Sequence, residues 1–181
     1  MKKNVTIYLI LTALFTALVA VCSQLKIDLP FVPINLALFA VHLSGLLLGP
    51  VYGGLSILIY LLLAAVGVPV MAGFKGGVGV LFGMTGGYAI GYLFTAVLDG
   101  VAVKYFGQKK VLLFLAMCVS VLVCYLFGTI WFMVLTGNTV GYSLRYCVLP
   151  FLPGDAIKIL LAEFLYYRLR GPLASILQKH L

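Results

Sequence analysis

Asp155 and Lys158 are the residues of this 181-residue chain whose types and spacing could most readily do chemistry. Three positions apart, they lie on one face of a helix. The preceding Pro153-Gly154 predicts that this helix begins here, where free backbone N–H groups and the helix dipole favour an anion. The pair could therefore contact a small, partly polar ligand. Alternatively, it forms an interfacial salt bridge that anchors the helix and binds nothing.

A glycine-rich segment, residues 67–83, supplies a second part of this candidate site. It contains six glycines and Pro69, a pattern too irregular for a lipid-facing helix. Irregular backbone is tolerated at membrane depth only where it is covered by protein or lines a water-filled cavity. A flexible segment of this kind also suits a lid over a ligand. The further candidate ligand contacts lie in or near this segment or at the outer end of a predicted helix: Lys75, Phe74, Gly76, Gly77, Tyr88 and Asn35.

Each of these candidates has a simpler alternative. Lys75 could face water, and Asn35 could form a hydrogen bond at a helix end. Lys26 and Arg145 are expected to be ordinary interfacial cations. Several aromatic residues at the same end are expected to form an interfacial belt: Phe31, Tyr142, Tyr146 and Phe151.

The elements that must position these residues are membrane helices. The chain is 64% hydrophobic and 9% charged, with a mean hydropathy of +1.21, which excludes a soluble domain. We expect an all-α integral membrane protein with a single membrane domain over residues 1–181. Six transmembrane helices are predicted, at about 5–25, 34–48, 51–66, 85–105, 111–135 and 153–170. The breaks are predicted at 26–33, at Gly49-Pro50, at 67–83 and at 136–152.

The charge distribution predicts how these helices are oriented. The net charge is +8, from twelve Lys and Arg against four Asp and Glu. With the N-terminus inside, eight of the twelve cations are on the inner side: Lys2, Lys3, Lys104, Lys109, Lys110, Arg168, Arg170 and Lys179. This excess predicts cytoplasmic termini, a multi-pass protein of the cell membrane and a glycine-rich loop outside, between helices 3 and 4. The positive charge is therefore interpreted as a topology signal. The cations are expected to contact membrane lipid, and no nucleic acid partner is expected.

Helix 1 carries small residues four positions apart, Ala13 and Ala17, overlapped by Thr12, Thr16 and Ala20. Such a stripe permits close approach of another helix. Spacing alone favours packing within this chain, although a partner subunit would use the same surface.

Several chemical motifs are missing from the sequence. There is no phosphate-binding loop and no metalloprotease or nucleophile-elbow motif, and His42 stands alone in its helix. Asp28, Asp99 and Asp155 are expected near helix ends and Glu163 alone in helix 6, which does not favour an independent proton-coupled carrier. The four cysteines are expected to be apolar packing residues. We therefore expect no enzyme activity, no metal and no cofactor.

Three stretches together resemble the BioY family, the biotin-specific S components of energy-coupling factor (ECF) transporters. They are residues 46–50, 67–88 and 150–158. The most specific parts are Gly83-Met84-Thr85-Gly86-Gly87-Tyr88 and Pro153-Gly154-Asp155-Ala156-Ile157-Lys158. The resemblance extends from helix 1 to helix 6.

This resemblance implies a six-helix protein that binds biotin from outside. It would dock on a T component carrying two cytoplasmic ATPases and topple to release the vitamin inward. Asp155 and Lys158 would belong to the biotin site, and Ala13 and Ala17 would dock on the T component. A carboxylate can accept from a ureido N–H, and an ammonium can donate to a carbonyl or pair with the valerate carboxylate.

Two places in the sequence depart from the family pattern. Met84 stands where proline is common, and residues 35–37 read Asn-Leu-Ala where Thr-Leu-Gln is common. The second change removes a polar side chain near the expected pocket. An S component for another small vitamin or acid is therefore the main alternative, and a membrane enzyme is a weaker one.

Overall fold

The computed structural model describes residues 2–28, 31–32 and 34–178. Pro30 and Pro33 of the first predicted break lie outside the described residues, as do Lys179 and the side chains of Lys2 and Lys3. In chain order the elements are α1 (Lys2–Gln24), β1 (Lys26–Ile27), β2 (Ile34–Asn35), α2 (Ala37–Ala65), α3 (Val78–Leu81), α4 (Gly86–Phe106), α5 (Lys110–Thr136), α6 (Val140–Cys147) and α7 (Leu152–Gln178).

Four of these helices are long and apolar enough to cross a membrane: α1 from Val5, α2, α4 and α5. They contain long runs of Leu, Val, Ile and Phe with few charges, and such runs are stable as spanning helices because all backbone hydrogen bonds are made internally. The 27-residue α7 is long enough but carries more charges, Asp155, Lys158 and Glu163 among them. The chain is thus a mostly helical membrane protein.

α2 is a helical hairpin that reverses at Gly49. Gly49 has φ 76°, which suits glycine, and Pro50 follows it. The hydroxyl oxygens of Ser44 and Ser56 lie 2.5 Å apart. In a straight helix, residues twelve positions apart would be separated by about 18 Å. The break predicted at Gly49-Pro50 is therefore present, with the arms 37–48 and 50–65 side by side.

Around this hairpin, α4 packs against α2 and α5, while α1 and α7 pack against α2. On α4, Gly87 and Gly91 face Trp131 and Cys124 of α5, so these glycines admit a neighbouring helix. On α1, Thr12 and Thr16 are buried, and the Thr16 hydroxyl donates to the Ser56 carbonyl at 2.9 Å.

Ala13 and Ala17, each about 100° around α1 from the threonine before it, are exposed on the surface of the chain. The expectation that these two alanines pack within the chain is therefore wrong. The threonines, which interleave with them, make the internal contact instead.

Short elements occupy the predicted breaks. β1 pairs antiparallel with β2, Lys26 with Asn35 and Ile27 with Ile34, so the described chain is not purely helical. The interval 136–152 contains α6, which begins where the Thr139 hydroxyl accepts from the Tyr142 backbone N–H. α3 lies in the glycine-rich segment, and α7 continues past the predicted end at 170 through Pro172 to Gln178.

Asp99 is not an interfacial acid near a helix end, as the sequence suggested, but a fully buried residue inside α4. One carboxylate oxygen lies 2.5 Å from Nδ1 of His42 on α2, and the other accepts from the Ser120 hydroxyl on α5 at 2.7 Å. This network joins three helices. His42 is therefore not isolated, since Asp99 is its partner.

Candidate functional site

A cavity of about 300 Å³ lies where α7 begins, enclosed by both arms of α2, by α4, α5 and α7, and by the loops around residues 71–85. This volume is at the lower end of the about 300–1,000 Å³ typical of small-molecule pockets. Aromatic and aliphatic side chains line most of the cavity, with a few polar groups among them. The lining residues are Phe31, Val32, Asn35, Leu38, Tyr60, Met71, Ala72, Lys75, Val80, Gly83, Met84, Thr85, Tyr88, Ala89, Tyr92, Cys124, Tyr125, Phe151, Asp155 and Lys158.

Asp155 and Lys158 form the polar centre of this wall. They lie in the first two turns of α7 and are only 3% and 6% exposed. Lys158 Nζ donates to Asp155 Oδ1 at 2.6 Å, and the Tyr125 hydroxyl donates to Oδ2 at 2.5 Å. A lysine ammonium has three hydrogens, so Lys158 keeps donors for a ligand. An interfacial anchor would be exposed to headgroups and water, whereas this pair is buried in the cavity wall.

Three other predicted residues reach the cavity. Lys75 lines it from the glycine-rich segment, where its backbone pairs with Met71 through hydrogen bonds of 3.0 and 3.2 Å. Tyr88 lines it with its ring, while its hydroxyl donates to the Cys147 carbonyl at 2.9 Å. Asn35 lines it too, although Oδ1 accepts from the Ala37 backbone N–H at 3.0 Å, as a helix-end residue would.

The structure does not bring Phe74, Gly76 or Gly77 to the cavity wall. Phe74 is 73% exposed. A Cβ at Gly76 would lie 2.8 Å from the Gly67 carbonyl oxygen, so this glycine allows the loop to close on itself. The Gly77 backbone N–H donates to the Ala64 carbonyl at 2.6 Å. These residues shape the loop that carries Lys75.

This loop is tethered to the end of α1. The Ser23 hydroxyl donates to the Val70 carbonyl at 2.5 Å, and Gln24 Nε2 donates to the Met71 carbonyl at 3.1 Å. Gln24 Oε1 also accepts from the Phe74 backbone N–H at 2.9 Å. These side-chain hydrogen bonds fix the position of the loop relative to α1.

Several lining residues were not singled out from the sequence, chiefly Tyr60, Tyr92 and Tyr125. One available signal was the i, i+4 spacing of Tyr88 and Tyr92, which puts both on one face of α4. Tyr125 carries no comparable local signal, because its partner is thirty positions away.

Only some of the residues expected to form an aromatic belt lie outside the cavity. Phe31 and Phe151 line the cavity instead of serving only as membrane anchors. Tyr142 and Tyr146 stay outside the lining and pack edge-on against Phe31, with ring centroids 6.1 and 5.6 Å away. Lys26 is paired with Asp28 at 2.5 Å, also outside the lining.

Groups of three or more His, Cys, Asp or Glu side chains able to hold a metal are absent from the described part of the chain. The four cysteines are unbonded, and Cys22, Cys124 and Cys147 are buried. Burial raises the pKa of the Cys147 thiol, so this thiol is protonated at neutral pH. What the arrangement offers is a partly apolar pocket with fixed donors and acceptors.

Comparisons with known proteins show which family this chain belongs to. Residues 1–175 match the model of the BioY family. A probable biotin transporter BioY of Pyrococcus horikoshii is 40% identical over 161 residues, covering 89% of this chain and 94% of that protein. A biotin transporter BioY of Thermotoga maritima is 36% identical over 167 residues, covering 90% of this chain and 95% of that protein.

A solved structure agrees with these relatives. The crystal structure of the S-component for biotin from an ECF-type ABC transporter superposes with a TM-score of 0.88. It is 32% identical, and the match covers 94% of each chain. The resemblance seen in the glycine-rich and Pro-Gly-Asp segments is thereby confirmed, and the chain belongs to the BioY family.

Proposed function

We propose that this chain is the biotin-binding S component of an ECF-type transporter. It takes up biotin at its outer face and releases the vitamin inward when a T component and two cytoplasmic ATPases drive the cycle. The observation that carries the proposal is the buried cluster of Asp155, Lys158 and Tyr125 in the cavity wall. The relatives are described as transporters, so the chain is not assigned an enzymatic role.

The chemistry of the cavity fits the polar groups of biotin. Asp155 offers acceptor oxygens and Lys158 offers spare hydrogens, which suit a ureido group that both donates and accepts. Lys75 lies on the opposite loop without a carboxylate partner among the described side chains, and it suits the valerate carboxylate. Tyr88 and Phe151, whose rings are nearly parallel with centroids 6.5 Å apart, supply apolar walls.

The proposed membrane placement has six spans within one domain, residues 1–181. Both arms of the α2 hairpin cross the membrane, α7 provides the sixth span, and both termini are cytoplasmic. The reversal at Gly49, the length of α7 and the excess of inner cations support this placement. The glycine-rich loop then lies outside, and the protein is a multi-pass component of the cell membrane in contact with lipid.

The surface proposed for docking on the T component includes Ala13 and Ala17. Both are exposed on α1, and their small side chains let a partner helix approach closely. Since the internal contact of α1 uses Thr12 and Thr16, the alanines remain available for a partner.

The proposal is tested by measuring biotin binding calorimetrically with the purified protein in detergent. Asp155→Asn and Lys158→Met each remove one charge from the cluster. A hydrogen bond to a charged group contributes about 1.5–3 kcal/mol, so each change is expected to weaken binding about 10- to 100-fold. Lys26→Met is the matched control, because Lys26 is paired with Asp28 outside the cavity.

Two outcomes would contradict this assignment. The site is wrong if Asp155→Asn and Lys158→Met bind biotin as tightly as the wild type. The ligand is wrong if the wild type shows no saturable binding of biotin. In that case, mass spectrometry of whatever small molecule copurifies tests the alternative, an S component for another vitamin.

A further inference from the structure

A second concavity, of about 470 Å³, lies between the start of α5 and the middle of α7. Glu163, which lines it, is eight residues beyond Asp155, about 12 Å along the helix. The concavity is therefore separate from the biotin cavity. The residues that line it are Lys110, Leu160, Glu163, Phe164, Tyr167 and Arg168, and we refer to it as the α5–α7 groove.

Glu163 is the unusual member of this groove. Its side chain is only 9% exposed, and Oε1 is buried without a hydrogen-bond partner. The nearby Tyr167 hydroxyl is also buried without a partner. A buried carboxylate without a partner is costly in or near hydrocarbon, so such a residue in a membrane protein points to a site. The missing group is a donor, preferably a cationic one.

Two cations flank the carboxylate without pairing with it. Lys110 Nζ lies 5.5 Å from the centroid of the Tyr167 ring, and the Arg168 guanidinium lies 5.3 Å from that of Phe164. Neither forms a salt bridge with any side chain that the structure describes. The α5–α7 groove therefore presents two cations without a salt bridge to any described side chain, beside an acid whose buried oxygen has no hydrogen-bond partner.

The position of the groove in the membrane narrows the class of ligand. Lys110 is the first residue of α5, one of the four apolar spans, so the charged end of the groove lies at a membrane boundary. Leu160 and Phe164 are largely exposed. Because the Arg168 guanidinium lies against the Phe164 ring beside Glu163, Leu160, about one turn earlier in α7, is the residue that lies further towards the hydrocarbon. Charges at headgroup depth beside an exposed apolar strip match an amphipathic ligand.

We infer that the α5–α7 groove binds a phospholipid whose headgroup carries a primary ammonium, such as phosphatidylethanolamine. Lys110 and Arg168 pair with the phosphate, and the ammonium donates to Glu163. The acyl chains lie along Leu160, on the hydrocarbon side of these charges. A headgroup that carries both charges satisfies both signs in the groove, whereas an anionic headgroup without an amine leaves Glu163 unpaired. The inference rests on the proposed membrane placement, which puts this lipid in the inner leaflet.

Native mass spectrometry of the purified protein with three added lipids tests this inference. Phosphatidylethanolamine is compared with phosphatidylcholine, which has the same phosphate but no ammonium N–H, and with phosphatidylglycerol, which has no amine. We expect the wild type to bind phosphatidylethanolamine about tenfold more tightly than either of the others, the effect of one hydrogen bond to a charged group. Equal binding of the three lipids by the wild type overturns the inference without any variant.

Variants then assign the contacts. Glu163→Gln is expected to abolish the preference for phosphatidylethanolamine. Lys110→Gln together with Arg168→Gln is expected to weaken the binding of all three lipids several-fold. Lys104→Gln removes an exposed cation at the end of α4, outside the groove, and should change nothing. The inference fails if the preference survives in Glu163→Gln. It also fails if Lys110→Gln with Arg168→Gln leaves lipid binding unchanged but abolishes association with a T component, because the groove is then a protein interface.

Biotin affinity, measured on the same preparations, separates this inference from the proposed function. Each variant is expected to keep wild-type biotin affinity, since no groove residue lines the biotin cavity, and this also reports that it is folded. If the wild type binds biotin but shows no preference among the lipids, only the lipid site is refuted. Wild type that prefers phosphatidylethanolamine without binding biotin refutes only the proposed ligand.

Discussion

Tyr125 on α5 donates a hydrogen bond of 2.5 Å to Oδ2 of Asp155 on α7, and so fixes the carboxylate that also holds Lys158. The tyrosine thereby links two helices at the polar centre of the cavity. Because both carboxylate oxygens already accept from the protein, Asp155 is held in one orientation before a ligand arrives. Such preorganisation lowers the entropic cost of binding.

Tyr125→Phe is therefore expected to weaken biotin binding about tenfold, because it removes one charge-assisted hydrogen bond and frees Asp155 to rotate. Titration calorimetry in detergent measures the change. The matched control is Tyr146→Phe, since Tyr146 packs on Phe31 outside the cavity lining. Unchanged affinity in Tyr125→Phe, or an equal loss in the control, would contradict this role.

Lys75 and Phe74 are adjacent in the loop but differ in placement, since only Lys75 lines the cavity. Lys75→Gln is expected to lower biotin affinity about tenfold through loss of an ion pair with the valerate carboxylate. Phe74→Ala should leave the affinity within about twofold, because its ring is exposed. Biotin amide, which lacks the carboxylate charge, should bind the wild type and Lys75→Gln about equally. A large loss in Phe74→Ala, or none in Lys75→Gln, would refute the assignment.

The helical part of the fold and the centre of the site could be predicted because their signals are local. Apolar runs indicate spans, Gly49-Pro50 indicates a reversal, and the i, i+3 spacing of Asp155 and Lys158 places them on one face. The position of a loop side chain is not local. Phe74 and Lys75 are equally close to the glycines in sequence, yet the turn of the loop brings only the lysine to the cavity.

Long-range polar partners are harder still to predict. The sequence around a tyrosine or a histidine in an apolar run does not indicate which residue of another helix faces it. His42 and Asp99 are 57 positions apart, and only the packing of α2 on α4 brings them together. The same holds for Ala13 and Ala17, because a stripe of small residues has the same appearance whether it faces inward or outward.

The His42–Asp99–Ser120 network is expected to stabilise the helix bundle. Asp99→Ala leaves His42 buried without its partner, which costs about 2–4 kcal/mol, whereas the Ser120 hydroxyl keeps the Met117 carbonyl as an acceptor. The result should be a fall of several degrees in the melting temperature of the detergent-solubilised protein. Biotin affinity at low temperature should change little, because none of the three residues lines the cavity.

A double-mutant cycle checks that this effect comes from the pair. His42→Ala, Asp99→Ala and the double variant are compared by thermal unfolding. If the contact stabilises the fold, the free energy of unfolding should fall less in the double variant than the two single decreases added together. The difference should be at least about 1 kcal/mol. Strictly additive losses would mean that each residue acts only through its own packing.

The exposed alanines of α1 give a prediction about assembly. Ala17→Leu adds bulk to a surface where a partner helix must approach closely, and overpacking of this kind costs about 1–3 kcal/mol. Recovery of the T component and ATPases with the tagged chain after co-expression should fall by about tenfold or more, while biotin affinity stays unchanged. Leu122→Phe, which adds bulk at an exposed position on α5, should assemble normally if docking is confined to the alanine stripe. Normal assembly of Ala17→Leu would remove this surface from the proposed interface, and a parallel loss of biotin binding would show that Ala17 acts on the fold of the chain.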